Sequence, residues 1–274
     1  MTRALTYLVL VVLGLLFMFP FLWAVSTSLK ETWEIYSSPP TLLPGSPQWS
    51  TYLRVLQLAP FGVWVRNSFF IVVASTLGAV LTASLVAYSF ARFRYRGRDV
   101  LFVITLGTLM LPAQVTLIPQ YVLFHRLGWV NSPLPLWVPA WFGGGAFAIF
   151  LMRQFIKTLP RELDEAALID GAGFFRIYGN VLMPLCKPAL AALTIFSALD
   201  HWNDFLAPLV YLNSPEKFTV ALGLNQFQAV SDMKYPQEYL LMAASVMAIV
   251  PAIALFFCTQ RYFMQGIVLS GVKN

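Results

Sequence analysis

Long stretches without a charged side chain constrain this chain more than any other feature. Five predominantly apolar runs contain no Asp, Glu, Lys or Arg, and they lie at 4–29, 67–91, 100–125, 127–152 and 239–260. A transmembrane helix needs about 20 such residues, so each run can cross a bilayer. Only 11% of the 274 residues are charged, whereas soluble domains carry about 25%. The sequence therefore predicts an all-α integral membrane protein with a single transmembrane domain over 1–274.

A sixth apolar region, at 186–211, contains two carboxylates. Asp200 and Asp204 interrupt it, but its flanks are almost wholly apolar. We therefore predict six transmembrane helices, at approximately 4–29, 67–91, 100–122, 135–156, 186–211 and 239–260. The first run could instead be a signal peptide, because Arg3 precedes it and Ala24-Val25-Ser26 is similar to a cleavage site. Its apolar stretch exceeds the ~7–15 residues of a signal core, which favours a membrane helix.

The basic residues are distributed unequally between the two faces that six spans create. Twelve of the 18 Lys and Arg residues fall on one face, including the patch Arg92, Arg94, Arg96 and Arg98. Cytoplasmic loops carry this excess, so both termini are predicted to be cytoplasmic. The same distribution accounts for the net charge of +6, and nucleic-acid binding is not indicated.

Prolines and glycines are concentrated in the fourth predicted span. Pro133, Pro135 and Pro139 open it, and Gly143-Gly144-Gly145 interrupts it. Neighbouring helices can satisfy the backbone groups that such residues free within a membrane. We expect kinks and close helix approach at this span.

Residues that hold metals and cofactors are sparse. Cys186 and Cys258 lie in different segments, as do His125 and His201, so neither a disulfide framework nor a metal site is predicted. No Lys follows a Gly, so the chain has no phosphate-binding loop of the type G-x-x-x-x-G-K-[ST]. We expect the chain to bind no cofactor of its own, to be no enzyme, and to depend on a partner for energy.

The predicted cytoplasmic loop at 157–188 has a pattern of its own. A short helix is predicted after Pro160, from Arg161 to Ile169, with acidic residues in its first turns as the helix dipole favours. Asp170-Gly171 ends it, and a second helix is predicted over 173–182, stopping before Pro184. Small or apolar residues would let another protein approach closely, and carboxylates would attract its basic residues. The former are Leu163, Ala166, Ala167 and Ala172, and the latter are Glu165 and Asp170.

This loop resembles the EAA loop of binding-protein-dependent ABC importer permeases. The matched positions are Glu165, Ala166, Ala167, Gly171, Pro184, Leu185 and Pro188. Asp170 and Ala172 resemble the version in the sugar-importing branch. The resemblance extends along the chain, through "SLKETWEIYSSPP", "LPAQVTLIPQYVLF", "WNDFLAPLVYL" and the closing "GIVLSGVKN". These segments are similar to the maltose-type carbohydrate permeases, nearest to their shorter subunit.

The resemblance implies a type I importer architecture with a cytoplasmic coupling helix that docks in a cleft of an ATPase subunit. Glu165 would pair with a basic residue of the ATPase, while Ala166, Ala167 and Ala172 would keep the helix slim. Gly171 would permit the turn into the second helix. The alternative is a loop that merely caps the bundle. The tail "SGVKN" resembles one that reaches towards the ATPase interface.

The same resemblance implies the partners. They would be a second homologous permease, two ATPases that use ATP and Mg, and an extracytoplasmic solute-binding protein. The complex would lie in the cytoplasmic (inner) membrane of a bacterium or archaeon and would move a small sugar or polyol.

Polar and aromatic residues in the third and fifth predicted spans are candidates for the substrate pathway, chiefly Gln114, Trp202, Asn203 and Asp204. Trp202, Asn203 and Asp204 lie in the fifth span, where polar groups indicate function. Asp200 and Asp204, four residues apart, are expected to share a helix face. Gln114 and Gln120 flank the proline-containing part of the third span. All of these groups could instead join helices or line an outer mouth.

The sequence thus predicts a permease subunit of an ATP-driven importer for a carbohydrate or related polyol. A glycerol-phosphate importer is one alternative, although the acids of span five are unfavourable near an anion. An ATP-independent carrier is another, but inverted repeats are not evident. A membrane-embedded enzyme would have only Asp200, His201 and Asp204 to act with.

Overall fold

The computed structural model describes residues 3–231 and 238–271, and every regular element within those ranges is helical. The α-helices are α1 (Arg3–Ser28), α2 (Thr32–Ile35), α3 (Ser50–Leu58), α4 (Phe61–Arg92), α5 (Arg98–Gly107), α6 (Ala113–Arg126), α7 (Leu134–Trp137), α8 (Ala146–Thr158), α9 (Glu162–Ile169), α10 (Phe174–Arg176), α11 (Met183–Leu185), α12 (Lys187–Asn203), α13 (Leu206–Tyr211), α14 (Val220–Ser231) and α15 (Glu238–Gly271). Shorter 3₁₀ turns cover Thr108–Met110, Val138–Trp141 and Pro215–Lys217, and a π-helical segment covers Ile177–Leu182. The last three residues of the C-terminal tail, 272–274, lie outside the described residues.

Within the described residues, four segments are long and apolar enough to cross a membrane by themselves. They are Arg3–Ser28, Phe61–Arg92, Leu134–Thr158 and Glu238–Leu255, and they overlap the first, second, fourth and sixth predicted spans. Two bent helix pairs raise the number to six if each pair counts as one span. The all-α membrane fold is confirmed, and the count of six stays a prediction.

The third predicted span is sharply bent. The segments Arg98–Met110 and Ala113–Arg126 make an angle of 99° at a break that contains Leu111 and Pro112. Pro112 has no backbone N–H and disfavours helical geometry at the residue before it, and Leu111 is accordingly extended. Pro119 lies inside α6 without breaking it. The region 100–122 therefore consists of two helices at a sharp angle rather than one straight helix.

The glycines of the fourth span provide the close approach that the sequence predicts. Gly143, Gly144 and Gly145 all have positive φ, of 99°, 65° and 88°. A Cβ atom on Gly144 would lie 2.4 Å from the carbonyl oxygen of Ala79 in α4. The backbone of this span therefore packs directly on the backbone of α4, which a side chain would prevent.

The fifth predicted span is interrupted at Asp204. Helix α12 ends at Asn203, the backbone of Asp204 is extended, and α13 begins at Leu206. The expectation that Asp200 and Asp204 share one helix face is wrong, because Asp204 lies beyond the end of the helix. Its carboxylate instead accepts the backbone N–H of Ala207 at 3.2 Å, at the start of α13.

Helix α4 is the central element of the fold. Its 32 residues extend about 48 Å at 1.5 Å per residue, beyond the roughly 30 Å hydrocarbon core. It packs on α8 and α12, and Ala83, Ala87 and Ala91 are buried along it. One apolar cluster surrounds Phe61 and Trp64 at its first end, and a second surrounds its last turns. The outlying helix α1 packs chiefly on α15.

Candidate functional site

The predicted coupling loop begins with an acidic helix. Helix α9 covers Glu162–Ile169, close to the predicted 161–169, and its first turn contains Glu162, Asp164 and Glu165. The carbonyl oxygen of Arg161 accepts the backbone N–H groups of Asp164 and Glu165, at 2.9 and 3.1 Å. Negative side chains at this end are favoured by the helix dipole. The predicted short helix is therefore present.

Gly171 ends this helix in a left-handed turn. Its φ is +77°, its N–H donates to the carbonyl of Leu168 at 3.0 Å, and the N–H of Ala172 donates to the carbonyl of Ala167 at 2.9 Å. These two bonds form a Schellman motif, in which glycine is favoured at the left-handed position. Ala167 and Ala172 are partly buried against the second apolar cluster. The chain can therefore reverse directly after α9.

The predicted second helix extends further than expected. It consists of α10, the π-helical segment Ile177–Leu182 and α11, and it ends at Leu185 rather than before Pro184. Pro184 lies in the first turn of α11, where its missing N–H is tolerated. The segment Phe174–Leu185 makes an angle of 81° with α12. Buried Cys186 lies at that bend.

The outward face of the loop is both acidic and apolar. Glu165, Ala166, Asp170 and Gly171 are exposed, whereas Ala167 and Ala172 are only partly exposed. Ile169 is 86% exposed and Phe175 is 83% exposed. We call Glu165, Ala166, Ile169, Asp170 and Phe175 the docking face. Large apolar side chains at such exposure are typical of a surface that another protein covers.

An ion pair attaches the opposite side of the loop to the last turn of α4. The Nε atom of Arg92 lies 3.0 Å from Oδ2 of Asp164, and the two side chains are only 7% and 15% exposed. Nη2 of Arg92 also donates to the carbonyl of Leu159 at 3.1 Å. Burial raises the pKa of the Asp164 carboxyl above its ordinary value, and the charge of Arg92 offsets part of that rise.

Aromatic residues attach the second half of the loop to α4. The hydroxyls of Ser84 and Tyr178 lie 2.7 Å apart, and the hydroxyl of Tyr88 donates to the carbonyl of Phe174 at 3.3 Å. The rings of Phe93 and Phe174 meet edge to face, with centroids 5.1 Å apart. Both halves of the loop are therefore held on the same end of α4.

The four pathway candidates occupy two helix breaks. Gln114 is exposed in the first turn of α6, beside the break of span three. Asn203 is exposed at the end of α12, where its amide donates to the carbonyl of Leu199 at 2.8 Å. Asp204 is partly buried. The indole N–H of Trp202 donates to the carbonyl of Ala248 at 3.2 Å, and its ring packs on the first apolar cluster. Trp202 therefore joins α12 to α15.

No group of His, Cys, Asp and Glu side chains within 3–231 and 238–271 is arranged to hold a metal ion. His201 and Asp204 are partly buried and Asp200 is exposed. The polar groups near the break of span five therefore form no metal centre in the described part of the chain.

The model of one protein family matches more than half of the chain. Its description is "Binding-protein-dependent transport system inner membrane component", and it matches residues 79–268, from the middle of α4 through most of α15. The chain belongs to this family of ABC importer permeases.

Relatives with known names are similar over nearly the whole permease. The arabinooligosaccharides transport system permease protein AraQ of Halalkalibacterium halodurans is 34% identical over 260 residues, which are 93% of this chain and 91% of AraQ. The sn-glycerol-3-phosphate transport system permease protein UgpE of Yersinia enterocolitica is 34% identical over 269 residues, 95% of this chain and 94% of UgpE. The permease is thus a membrane transport component rather than an enzyme.

A solved structure has the same fold as the permease. It is a chain from the crystal structure of a bacterial ABC transporter involved in the import of the acidic polysaccharide alginate. The TM-score is 0.82 at 26% identity, and the match covers 96% of this chain and 99% of the other. Permeases of this family work in complexes with a second permease, ATPases and a binding protein.

The sequence alone does not show which residues attach the permease loop to α4. Arg92 is one of four clustered arginines, and only the fold distinguishes it as the partner of Asp164. Tyr88 and Tyr178 are two of many aromatic residues in an apolar chain. The exposed Ile169 and Phe175 could have been found, because both lie in a segment otherwise rich in polar and small residues.

Proposed function

We propose that this permease moves a carbohydrate or related polyol, and that ATPase subunits drive it through the docking face. The observation that carries the proposal is the two-sided loop. Its outer side exposes Glu165, Ala166 and Ile169, and its inner side is attached to α4 by Arg92, Tyr88 and Ser84. A force applied to the outer side would therefore be transmitted to the central helix.

The docking face suits a cleft with an apolar floor and a basic rim. Ile169 and Phe175 offer apolar area, and Glu165 and Asp170 offer carboxylates for Arg or Lys. Ala166 lets the partner approach α9 closely. Ala167 and Ala172 contribute differently, because they pack against the permease and keep the loop close to α4.

We further propose that the loop side of the membrane is cytoplasmic, as the distribution of basic residues predicts. Arg92 belongs to the patch that continues through Arg94, Arg96 and Arg98, and its ion pair places that patch at the same end of the fold as the loop. The termini would then be cytoplasmic as well.

The bent third span supports a second permease subunit. Leu111 and Pro112 are non-helical and exposed, and Met110 beside them is 85% exposed. Irregular backbone at membrane depth is tolerated where protein covers it or where it lines a water-filled cavity. A homologous permease at this surface, with the pathway between the two chains, would satisfy that requirement.

The acids near the break of span five support a neutral substrate. Exposed Asp200 and Asn203, with Asp204 nearby, can accept and donate hydrogen bonds to hydroxyl groups. The name of AraQ agrees with a neutral sugar. Glycerol phosphate is the second candidate, favoured by the equal identity of UgpE, although its phosphate would be repelled by these carboxylates.

The test is substrate-stimulated ATPase activity of the complete complex, reconstituted in vesicles with its own binding protein. We expect stimulation by neutral oligosaccharides or polyols and none by sn-glycerol 3-phosphate. Replacing Asp200 by Asn should reduce uptake of the neutral substrate, whereas Asp99→Asn, an exposed acid on the loop side, should leave it unchanged. Stimulation by sn-glycerol 3-phosphate alone would establish the second candidate instead.

A further inference from the structure

The connection between α4 and α5 lines a cavity of about 390 Å³ that is open to the surface. Its lining consists of Arg94, Tyr95, Gly97, Arg98, Asp99 and Val100. We call it the 94–100 cavity. Arg94 at its edge and the neighbouring Arg96 are both exposed. Within 3–231 and 238–271, neither guanidinium has a hydrogen bond or an ion pair to another residue.

The charges around the cavity are unbalanced. Its lining carboxylate, Asp99, already binds Arg98, with Nε–Oδ1 and Nη2–Oδ2 distances of 2.9 and 3.1 Å. Nη1 of Arg98 donates to the carbonyl of Phe93 at 3.2 Å, which fixes the guanidinium further. Asp99 is thereby neutralised locally. The positive charges of Arg94 and Arg96 have no such counterpart.

A buried cation adds to the positive field. The guanidinium of Arg153 lies 3.9 Å from the centre of the Phe102 ring, its Nε atom is buried without a hydrogen-bond partner, and it interacts electrostatically with Arg98 and Asp99. Unpaired charge in such a setting is unfavourable. An anion in the 94–100 cavity would be stabilised by Arg94 in its lining and by Arg96 beside it.

An apolar stripe begins at the rim of the cavity. Val100 lines it, and Val103 and Ile104 follow three and four positions later on the same face of α5. All three side chains are exposed, and they lie at the start of the charge-free run 100–125. A soluble anion would contact the arginines alone, whereas an amphiphile would contact both the arginines and the stripe.

We propose that the 94–100 cavity binds the phosphodiester headgroup of an anionic phospholipid, with one acyl chain along Val100, Val103 and Ile104. The ion pair between Arg92 and Asp164 places the cavity at the loop end of α4, so the lipid belongs to the leaflet on that side. Basic residues at a membrane surface attract anionic lipids in this way. The site does not depend on the transport reaction or on the substrate.

The experiment measures lipid association with the purified complex in vesicles by electron paramagnetic resonance of spin-labelled lipids. The probes are phosphatidylglycerol and phosphatidylcholine, which differ in net charge. The variant is Arg94→Gln with Arg96→Gln, and the matched control is Arg54→Gln with Arg126→Gln, an exposed pair at the opposite end of the fold. We expect the preference for phosphatidylglycerol to fall about fivefold for each of these two arginines replaced, Arg94 in the lining and Arg96 beside it, and to stay unchanged in the control.

Three results would overturn the proposal. An equal loss of preference in both variants would indicate a diffuse response to net charge. Displacement of the lipid by millimolar inorganic phosphate would indicate a site for the free ion. An unchanged preference together with loss of ATPase association in Arg94→Gln with Arg96→Gln would assign the surface to the ATPase. Because lipid association is measured without transport, failure of the proposed function would leave the result intact.

Discussion

Nε of Arg92, in the last turn of α4, lies 3.0 Å from Oδ2 of Asp164, in the first turn of α9. The two residues are 72 positions apart, and their pairing joins the central membrane helix to the loop that carries the docking face. The guanidinium also binds the carbonyl of Leu159, just before α9 begins. Arg92 therefore fixes both the entry of the loop and its first helix.

Replacing Arg92 by Met should weaken this attachment. The buried carboxylate of Asp164 would be left unpaired, which destabilises a structure by about 3 kcal/mol at a buried pair. We expect a lower number of substrate molecules transported per ATP hydrolysed, and faster protease cleavage within 157–188. Arg96→Met, an exposed arginine of the same patch, is the control. Native coupling in Arg92→Met would show that the pair has no part in transmission.

The pH dependence of that variant has a definite sign. The pKa of Asp164 is raised by burial even with Arg92 present, and loss of the Arg92 charge should raise it further. A carboxyl with a raised pKa stabilises the fold below its ordinary pKa and loses that contribution as pH rises towards the shifted value. The protease sensitivity of Arg92→Met should therefore decrease as the pH is lowered from neutral towards the ordinary pKa of an Asp carboxyl. A defect of equal size across that range would contradict the assignment.

Asp164→Asn should be milder than Arg92→Met. It removes a buried charge whose ionised form is already disfavoured, while Arg92 keeps its hydrogen bond to Leu159. The thermal unfolding midpoint of the purified complex would show the order of the two variants, with Glu216→Gln, an exposed acid at the opposite end of the fold, as the reference. The reverse order would mean that the ion pair outweighs the burial of the carboxylate.

The left-handed turn after α9 offers a matched pair of glycines. Gly171 has a φ of +77° and Gly173 has a φ of −73°, and a Cβ at either position meets no atom within 4 Å. Gly171→Ala should destabilise the loop by about 1–2 kcal/mol, because only the backbone conformation disfavours the side chain. Gly173→Ala should be close to neutral. Equal protease resistance of the two variants would contradict the turn described here.

Substitutions at two glycines of span four can distinguish the effect of backbone strain from the effect of close packing. Gly144 and Gly145 both have positive φ, but a Cβ on Gly144 would collide with Ala79, whereas one on Gly145 meets no atom within 4 Å. Gly144→Ala should therefore lower the unfolding midpoint of the complex more than Gly145→Ala, by the additional 1–3 kcal/mol or so that overpacking costs. A larger effect at Gly145 would rule out this contact as the reason for the glycine.

The spans that hydropathy located best are those with uninterrupted apolar runs. Span two is predicted from 67 to 91, and the helix Phe61–Arg92 contains that whole range, because the absence of charge over 25 positions favours a continuous helix in a membrane. Hydropathy carries no information on the direction in which a helix runs. It could not show the 99° bend at Leu111 and Pro112, since apolar residues on both sides of a bend score as they would in a straight helix.

Some features of the candidate site could be predicted from the local sequence, and others depend on tertiary packing. The start of α9 and the turn at Gly171 follow from local chemistry, namely acidic residues at a helix start and glycine at a left-handed position. The partner of Asp164 depends on tertiary packing, which places one of four nearby arginines beside it. The end of α12 at Asn203 also depends on context, because Asp204 could equally continue a helix or cap the next one.

The docking face is proposed to be the surface through which the ATPase subunits drive the permease. The most direct measurement is the substrate-stimulated ATPase activity of the reconstituted complex. It is made for the loop variants Glu165→Arg and Gly171→Trp and for the control Glu216→Arg, which changes an exposed acid at the opposite end of the fold. Membrane insertion is verified first for each variant. We predict that Glu165→Arg loses ATPase association or stimulation at least about tenfold, as loss of an interfacial charge pair implies. Gly171→Trp should lose them as well, because a bulky side chain at this exposed left-handed position strains the turn and obstructs the partner. Glu216→Arg should retain both. Full association and stimulation in both loop variants would contradict the account.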